Sequence, residues 1–423
     1  MLSNFESLNA NNQSERLLAL KGVLSEEKVK PLVRENDANN HIHTIYSFSP
    51  YSPTKAAYMA YCAGLTSAGI MDHDSLSGAK EFKKACEILN LGSTVGVEVR
   101  VKFNKGFGKL NHPDQNECLY MAAHGVALKH VDEFNSYLEF YRQKRNERNR
   151  QMCQKISQKY SKFNIELDFE KDVAPLSQSF EGGSITERHL LYAMAVKIDK
   201  CFGQTTALID FLEKDLNLSV SEKARGYILD KQNPNYLYDL LGVLKMDTKF
   251  FYIDADEEMP ICEEFIKKAT SLGAIPAYAY LGDVGNSVTG DKKAQKFEDD
   301  YLEDLLIELK KAGFKAIAYM PTRNTKEQLA RLQQLCKKYD FFEISGEDVN
   351  SPRQQFCCKA LAQPEYSHLI DSTWALIGHE YMVNEKGAEF GMFSSKEEKE
   401  TPSLSERIKK FALIGRQTVN KKQ

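Results

Sequence analysis

The chain has 423 residues, of which 42% are hydrophobic, and a net charge of −3 at pH 7. This length allows a full barrel with an added subdomain, and the charge excludes a general electrostatic attraction to nucleic acid or membrane surfaces. The nine cysteines are irregularly spaced, and the first residues lack the features of a signal peptide, so we expect a cytoplasmic protein with reduced thiols and no membrane contact.

The first part of the chain alternates short apolar strands with helical segments. Residues 1–36 are polar and mostly helical, and we interpret them as an N-terminal extension of a barrel part over 37–129. Ser52 and Pro53 predict the start of a helix, because serine caps helices and proline fits the first turn. The strands of this part are predicted at 41–44, 69–71, 95–98 and 118–123.

The pattern changes after Lys129, and residues 130–245 indicate a charged helical insertion. Strand and helix alternate again over 246–370, where Thr325 and Gln328 form a capping-box pair. Beyond about 365 the pattern indicates loops, and we expect 371–423 to be a C-terminal tail with one final basic helix. The strands of the second part are predicted at 274–280, 315–319 and 341–344. The alternation is typical of an α/β barrel with its chemistry at the strand ends.

Residues that bind metals lie at the predicted strand ends. His41 and His43 leave the same face of one strand because side chains alternate, and Glu98 opposes a stripe of valines. A lone H-x-H is a weak signal, but here Asp72-His73-Asp74 and Glu98 follow it in order. Helix capping by Asp72 or Asp74, and a salt bridge from Glu98 to Arg100, are the structural alternatives.

This mixture of imidazoles and carboxylates favours Zn, Fe or Mn over Mg or Ca. Two such ions that share a carboxylate would activate a water and hold the oxygens of a phosphate group. The ligand pattern therefore predicts hydrolysis of a phosphate ester.

The ordered set of motifs resembles the PHP (polymerase and histidinol phosphatase) domain. Within this family the chain is similar to the stand-alone bacterial phosphoesterases of nucleoside phosphates and nucleic acid ends, which also carry an Arg-rich helical insertion. The resemblance covers 38–130 and 185–360, and it implies a distorted seven-stranded (β/α) barrel with a helical insertion subdomain. The motifs that carry it are His41-Ile42-His43-Thr44, Asp72-His73-Asp74, Gly96-Val97-Glu98, His124, Arg188-His189 and Gly346-Glu347-Asp348.

The resemblance also implies a set of metal ligands and a number of ions. Phe48 and Asn350 occupy positions where, together with His73, the family holds a third ion, and phenylalanine cannot ligate. We therefore predict two divalent transition-metal ions, with catalytic roles for Asp348 and for His73, the latter as a weak ligand, a substrate contact or a general acid. The implied ligands are His41, His43, Glu98 and Asp348 for one ion, and Glu98, His124 and His189 for the other.

Four further residues are candidates for binding the phosphate of the substrate. Arg142 and Arg145 lie on a predicted helix and could bind a phosphate bidentately, although a solvated charged helix face is the more common outcome. Arg323 follows a strand end, and Tyr280 stands where the family often has histidine.

The sequence thus predicts a metal-dependent phosphoric ester hydrolase that acts on a small phosphate monoester, with a nucleotide as the expected form. One alternative is a degenerate PHP protein that binds metal and a phosphorylated ligand without turnover. Another is a nuclease that acts on nucleic acid ends, with a short oligonucleotide as its substrate; this would need a local basic groove.

Overall fold

A computed structural model describes residues 4–26, 31, 37–112, 114–285 and 295–420 of the chain. In this part of the chain one sheet contains seven strands in their sequence order. The strands are β1 (Ala38–Ile42), β2 (Ser67–His73), β3 (Gly92–Lys102), β4 (Cys118–His124), β5 (Ile275–Ala279), β6 (Ala316–Tyr319) and β7 (Phe342–Ser345).

The sheet curls into a nearly closed barrel. Ile42 at the end of β1 forms a parallel bridge with Val349, which follows β7, and the backbone amide of His43 donates to the Val349 carbonyl at 2.9 Å. The predicted distorted seven-stranded barrel with helical insertions is confirmed.

The strand β4 runs against its two neighbours, whereas the other neighbouring strands are parallel. This antiparallel pairing extends β3 to Lys102, because Gly96–Lys102 pairs along its length with β4. The prediction that the third strand ends at Glu98 was therefore wrong. Glu98 instead lies within β3, level with His73 at the end of β2.

Helices surround the barrel, and two of their starts confirm predicted caps. The Ser52 hydroxyl accepts a hydrogen bond from the Lys55 amide at the start of α3, and Thr325 with Gln328 forms a capping box at the start of α12. The helices outside the insertion are α1 (Asn4–Ser7), α2 (Gln13–Glu26), α3 (Pro53–Cys62), α4 (Ala79–Leu89), α10 (Cys262–Ser271), α11 (Leu302–Ala312), α12 (Lys326–Lys338), α13 (His368–Lys386), α14 (Ser395–Glu400) and α15 (Leu404–Asn420).

The segment between β4 and α10 is helical and has its own hydrophobic core. This core includes Met152 and Phe211 of the insertion, and Phe48 of the barrel packs into it. The domain boundaries proposed from the sequence stay predictions. The helices of the insertion are α5 (Val131–Tyr160), α6 (Glu187–Phe202), α7 (Thr206–Asp210), α8 (Glu222–Leu229) and α9 (Tyr236–Leu244).

The segment after residue 365 contains a 19-residue helix, α13, where the sequence pattern indicated loops. This helix packs closely on α15: a Cβ placed on Gly378 would lie 2.0 Å from the Phe411 carbonyl oxygen. Because α13 buries residues on most of its circumference, it lacks the one-sided apolar stripe by which a surface helix is predicted. No helix in the described ranges is both long and apolar enough to cross a membrane.

Candidate metal centre

The two histidines of the H-x-H motif converge at the end of β1. The Nε2 atoms of His41 and His43 lie 3.1 Å apart, as the alternation of side chains predicted. Gly346 allows this arrangement, since a Cβ at this position would lie 2.8 Å from the backbone nitrogen of His41. The loop after β7 therefore approaches β1 closely and brings Asp348 to the same place.

Carboxylates from two other parts of the barrel meet these imidazoles. Glu98 Oε2 lies 3.5 Å from His41 Nε2 and 3.7 Å from His43 Nε2, and Asp348 Oδ1 lies 3.2 Å from His43 Nε2. The Asn350 side-chain amide donates to Asp348 Oδ1. Asn350 therefore orients a carboxylate of the cluster.

The parallel register of β2 and β3 adds His73 to the cluster. His73 is paired with Glu98 across the two strands, and His73 Nδ1 lies 3.2 Å from Glu98 Oε2. Within the described residues, two groups of side chains place their donor atoms within 4.8 Å of one another. The groups are His41, His43 and Asp348, and His43, His73 and Glu98.

These distances fit the donor set of a bound transition-metal ion. With metal–donor bonds near 2.1 Å, neighbouring donors are about 3.0 Å apart in an octahedral site and about 3.4 Å apart in a tetrahedral one. His43 Nε2 lies 3.1 Å from His41 Nε2, 3.2 Å from Asp348 Oδ1 and 3.7 Å from Glu98 Oε2. Asp348 and Glu98 belong to different donor groups, and His43 is the residue that the two groups share.

The charges of the cluster also suit a cation. Burial opposes ionisation of Glu98, but the neighbouring His73 and His41 outweigh it and lower the Glu98 pKa to about 2. Burial likewise opposes ionisation of Asp348, but its hydrogen bond with His43 holds the Asp348 pKa well below its usual range. Burial lowers the pKa of His73 to about 3, so His73 is neutral at pH 7, which is the form that binds metals.

A hydrogen-bonded chain behind His43 fixes the orientation of its ring. The Asp72 carboxylate accepts hydrogen bonds from the Thr44 amide and hydroxyl and from the Ser47 hydroxyl, each at 2.6 Å. Ser47 Oγ also lies 3.3 Å from His43 Nδ1. Such partners keep the Nε2 lone pair of a ligating histidine directed at the ion.

His124 lies deeper in the barrel than the cluster. Its partner on β3 is Gly96, two residues before Glu98, which corresponds to about 7 Å along the strand. The His124 Nε2 atom is buried without a hydrogen-bond partner in the described chain, and burial lowers the His124 pKa to about 3. A neutral imidazole with an unpaired buried nitrogen is suited to a ligand role, although His124 belongs to neither donor group.

His189 also lies outside both donor groups. Its Nδ1 accepts a hydrogen bond from the Thr186 amide at 3.0 Å at the start of α6, and burial lowers its pKa to about 3. Three of the donors implied for the first ion, His41, His43 and Asp348, therefore form one donor group, whereas Glu98 is grouped with His43 and His73 and not with His124 or His189.

The two arginines of the insertion that were predicted to bind phosphate form hydrogen bonds and ion pairs within the protein. Arg142 donates to the Asp74 carbonyl at 2.8 Å and to Asn135. Arg145 pairs with the Asp74 carboxylate at 2.6 Å and with Glu258 at 3.0 Å. Both side chains are buried, so this helix face is neither a solvated charged surface nor open to a phosphate group.

Tyr280 and Arg323 lie near a small cavity of about 60 Å³ that His41, Glu98 and His124 help to line. Tyr280 lines this cavity, and its hydroxyl donates to Asp299 at 2.6 Å. Arg323 Nε donates to the Leu281 carbonyl at 3.0 Å. Both residues therefore support the rim of the cavity through contacts with the protein.

Arg188 is a candidate that the sequence analysis did not single out as a phosphate-binding residue. It is half-buried, and the described chain offers it no hydrogen bond or ion pair. Burial is the main cause of the low pKa values of His73 and His189, and the charge of Arg188 lowers both further. Its position beside the predicted ligand His189 was the signal that could have identified it.

Comparisons with known proteins support the fold. No protein-family model matches the sequence, and the comparison with curated proteins gives no match. A solved structure from Bifidobacterium adolescentis, assigned by inference as a metal-dependent phosphoesterase, superimposes with a TM-score of 0.50 at 17% identity over 77% of this chain and 93% of that chain. An amidohydrolase from Chromobacterium violaceum, with bound sulfate and no metal, gives a TM-score of 0.51 at 15% identity over 79% of this chain and 96% of that chain. At these identities the similarity establishes a shared fold.

Proposed function

We propose that the protein is a metal-dependent phosphoesterase that hydrolyses a small phosphate monoester of nucleotide size. The observation that supports this most directly is the position of His43 Nε2, which lies 3.1 to 3.7 Å from donor atoms of His41, Asp348 and Glu98. The name of the Bifidobacterium adolescentis structure, which shares the fold, supports the same reaction class.

A divalent ion held by these donors would activate a water and stabilise negative charge on the phosphate oxygens. The protein supplies the orientation of the donors. Asp72 and Ser47 fix the His43 ring, and Asn350 fixes Asp348. The register of β2 and β3 holds His73 against Glu98.

A second ion, with Glu98 as the bridge, is part of the proposal. A histidine nitrogen has one lone pair, so His43 Nε2 can serve only one ion, and the second needs other donors. The unpaired Nε2 of His124, which shares a small cavity with Glu98, supports His124 as one of them. His189 completes this set through the resemblance to the PHP domain.

We assign the phosphate contact to Arg188. Its charge is close enough to influence His73, His189 and Asp348, and the described chain gives it no carboxylate partner. An arginine can hold two phosphate oxygens at once through its planar guanidinium group. Arg188 would therefore orient the phosphate towards the donors of the metal centre.

The proposal is tested by measuring metal content and phosphate release on the same preparation. Purified protein is analysed by emission spectroscopy and then incubated with Mn²⁺ and a panel of phosphate monoesters. We expect at least one bound ion per chain, phosphate release from a nucleotide, and loss of release in Asp348→Asn. Asp371→Asn is the matched control, since this exposed aspartate lies on α13 and pairs with Arg416.

Three other outcomes would each replace the proposal. Bound metal with nucleotide-induced thermal stabilisation, but no release under any metal, would indicate a degenerate binding protein. Salt-sensitive binding and shortening of an oligonucleotide, without release from monoesters, would indicate a nuclease. Less than one tightly bound ion together with no release would exclude a metallohydrolase of either kind.

A further inference from the structure

A buried cluster of ion pairs joins the barrel wall to the helical insertion. Three arginines and three carboxylates form this cluster, so their charges balance. Five of the six side chains are buried, and that of Glu187 is 23% exposed. The members are Arg100 on β3, Arg145 and Arg148 on α5, Glu187 at the start of α6, Asp74 just after β2 and Glu258 before α10.

Glu258 is the centre of this cluster. Its Oε1 accepts hydrogen bonds from Arg145 Nε and Arg148 Nη2, each at 3.0 Å, and Arg100 Nη2 also donates to this oxygen. Its Oε2 accepts a hydrogen bond from Arg148 Nε at 2.5 Å. All three arginines therefore have a buried carboxylate partner in Glu258, and none of them depends on Glu187 for its first ion pair.

Glu187 links the cluster to the start of α6. Its Oε1 accepts a hydrogen bond from Arg100 Nη1 at 2.9 Å and another from Arg148 Nη2. Arg100 lies two residues after Glu98 on β3, on the same face of the strand and about 7 Å further along. The carboxylate of Glu187 thus ties the first residue of α6 to the strand that carries the donor Glu98.

The first turn of α6 is braced by a capping box. Thr186 and His189 form this box, and the His189 Nδ1 atom accepts a hydrogen bond from the Thr186 amide at 3.0 Å. Such reciprocal bonds fix the shape of a helix start. A shift of Glu187 relative to β3 would therefore move Arg188 and His189 with it.

The ion pairs of Glu187 also leave the neighbouring Arg188 available. Successive residues of an α-helix point about 100° apart, and adjacent side chains do not face each other. Because Glu187 is directed at the cluster, Arg188 is directed elsewhere. Arg188 is half-buried and has no carboxylate partner in the part of the chain that the structure describes.

We propose that Glu187 is a positioning residue, which holds Arg188 at the metal centre through its ion pair with Arg100 of β3. The inference rests on the proposed phosphate contact of Arg188 and adds the residue that places this contact. In the alternative role, Glu187 would only contribute to the stability of the cluster. Since Glu258 already pairs with every arginine of the cluster, the loss of Glu187 should disturb the position of α6 more than the fold.

A double-mutant cycle separates the two roles, because the effects of residues that act as a unit do not add. With p-nitrophenyl phosphate and saturating Mn²⁺, Glu187→Gln should raise KM and lower kcat/KM by about fivefold or more, which is within the usual range of coupling. The kcat/KM of Glu187→Gln/Arg188→Gln should equal that of Arg188→Gln within about twofold. A purely structural role would instead multiply the two losses.

A second variant and a control accompany this cycle. Glu187→Asp keeps the charge balance of the cluster and serves if Glu187→Gln does not fold. Its carboxylate is one methylene shorter, so it should cause a smaller loss that also disappears in the Arg188→Gln background. Glu170→Gln is the matched control, because this glutamate also pairs with an arginine of the insertion, Arg150, but at an exposed site; it should leave kcat/KM unchanged.

Calorimetry with inorganic phosphate on the Mn²⁺-loaded protein distinguishes this inference from the proposed activity. If no monoester is hydrolysed, phosphate binding that weakens in Glu187→Gln and in Arg188→Gln, but no further in the double variant, still supports the positioning role. If phosphate is released but the two losses multiply, or if both Glu187 variants behave as the wild type, the inference is overturned and the activity stands. A wild type that neither releases nor binds phosphate would overturn both.

Discussion

Arg188 and Arg142 should respond in opposite ways to the same substitution, and this contrast tests the assignment of the phosphate contact. Arg142→Gln removes a guanidinium that donates to the Asp74 carbonyl and to two oxygens of Asn135. Buried acceptors left without a donor cost about 1 to 3 kcal/mol of the free energy of unfolding. Arg188→Gln removes no such contact, so its unfolding free energy should change by no more than about 0.5 kcal/mol.

The effects on catalysis should be reversed. One to two charge-assisted hydrogen bonds from Arg188 to phosphate oxygens are worth about 1.5 to 3 kcal/mol, which corresponds to a loss of roughly 10- to 150-fold in kcat/KM. Arg142→Gln should lower kcat/KM by less than about threefold at a temperature where the protein is folded. Arg188→Lys keeps the charge but not the planar pair of donors, so an intermediate loss is expected.

The assay combines thermal unfolding with phosphate release at fixed Mn²⁺, and metal content is measured for each variant. For a chain of 423 residues, an entropy of unfolding near 2.1 cal/mol/K per residue gives a shift in Tm of about 1 °C for each kcal/mol. A large loss of activity in Arg142→Gln with little loss in Arg188→Gln would refute the assignment. Loss of the metal ion from Arg188→Gln would show that this residue acts on the centre rather than on the substrate.

Three further predictions concern buried carboxylates. Glu98→Gln should lower the metal content because Glu98 is a donor in the cluster. Glu257→Gln, at an exposed site, is the control and should keep the metal. Equal metal contents of the two variants by emission spectroscopy would contradict the assignment of Glu98. Glu258→Gln should destabilise the fold by about 3 to 5 kcal/mol in urea unfolding, because three buried arginines lose their shared partner; a loss below 1 kcal/mol would contradict this. Burial raises the Glu298 pKa to about 7 from its ordinary value near 4.5. The stability that protonated Glu298 contributes is therefore complete below pH 4.5, and about 3 kcal/mol of it is lost as the pH rises through 7. Glu298→Gln should remove this pH dependence, and parallel curves of unfolding free energy against pH for the two proteins would exclude the effect.

Local signals predicted much of the barrel and the convergence of His41 and His43. The helix at Ala79–Leu89 has a one-sided apolar stripe, and the caps at Ser52 and Thr325 act within a few residues of the chain. The convergence of His41 and His43 depends only on the alternation of side chains in an extended segment. These features are encoded by neighbours in the sequence, and for that reason they could be predicted.

The features that the sequence did not reveal depend on distant contacts. The direction of β4 depends on how the chain between residues 103 and 117 returns to the sheet, and no local pattern specifies this. The fate of Arg145 was also hidden, because its partner Glu258 lies 113 residues further along the chain. An isolated cluster of arginines therefore resembles a phosphate site until its partners are located.

Phe48 connects the metal centre to the helical insertion, and this connection explains why the two should act together. The Phe48 side chain packs into the separate hydrophobic core of the insertion and against His189. A polar side chain could not be buried there without a partner, whereas phenylalanine packs the insertion against the barrel. His189 and Arg188 are carried by the insertion helix α6, and their distance from Glu98 is set by this docking. Phe48→Ala should therefore displace His189 and Arg188 relative to Glu98 and lower kcat/KM for phosphate release, and an unchanged kcat/KM in a folded variant would contradict this coupling.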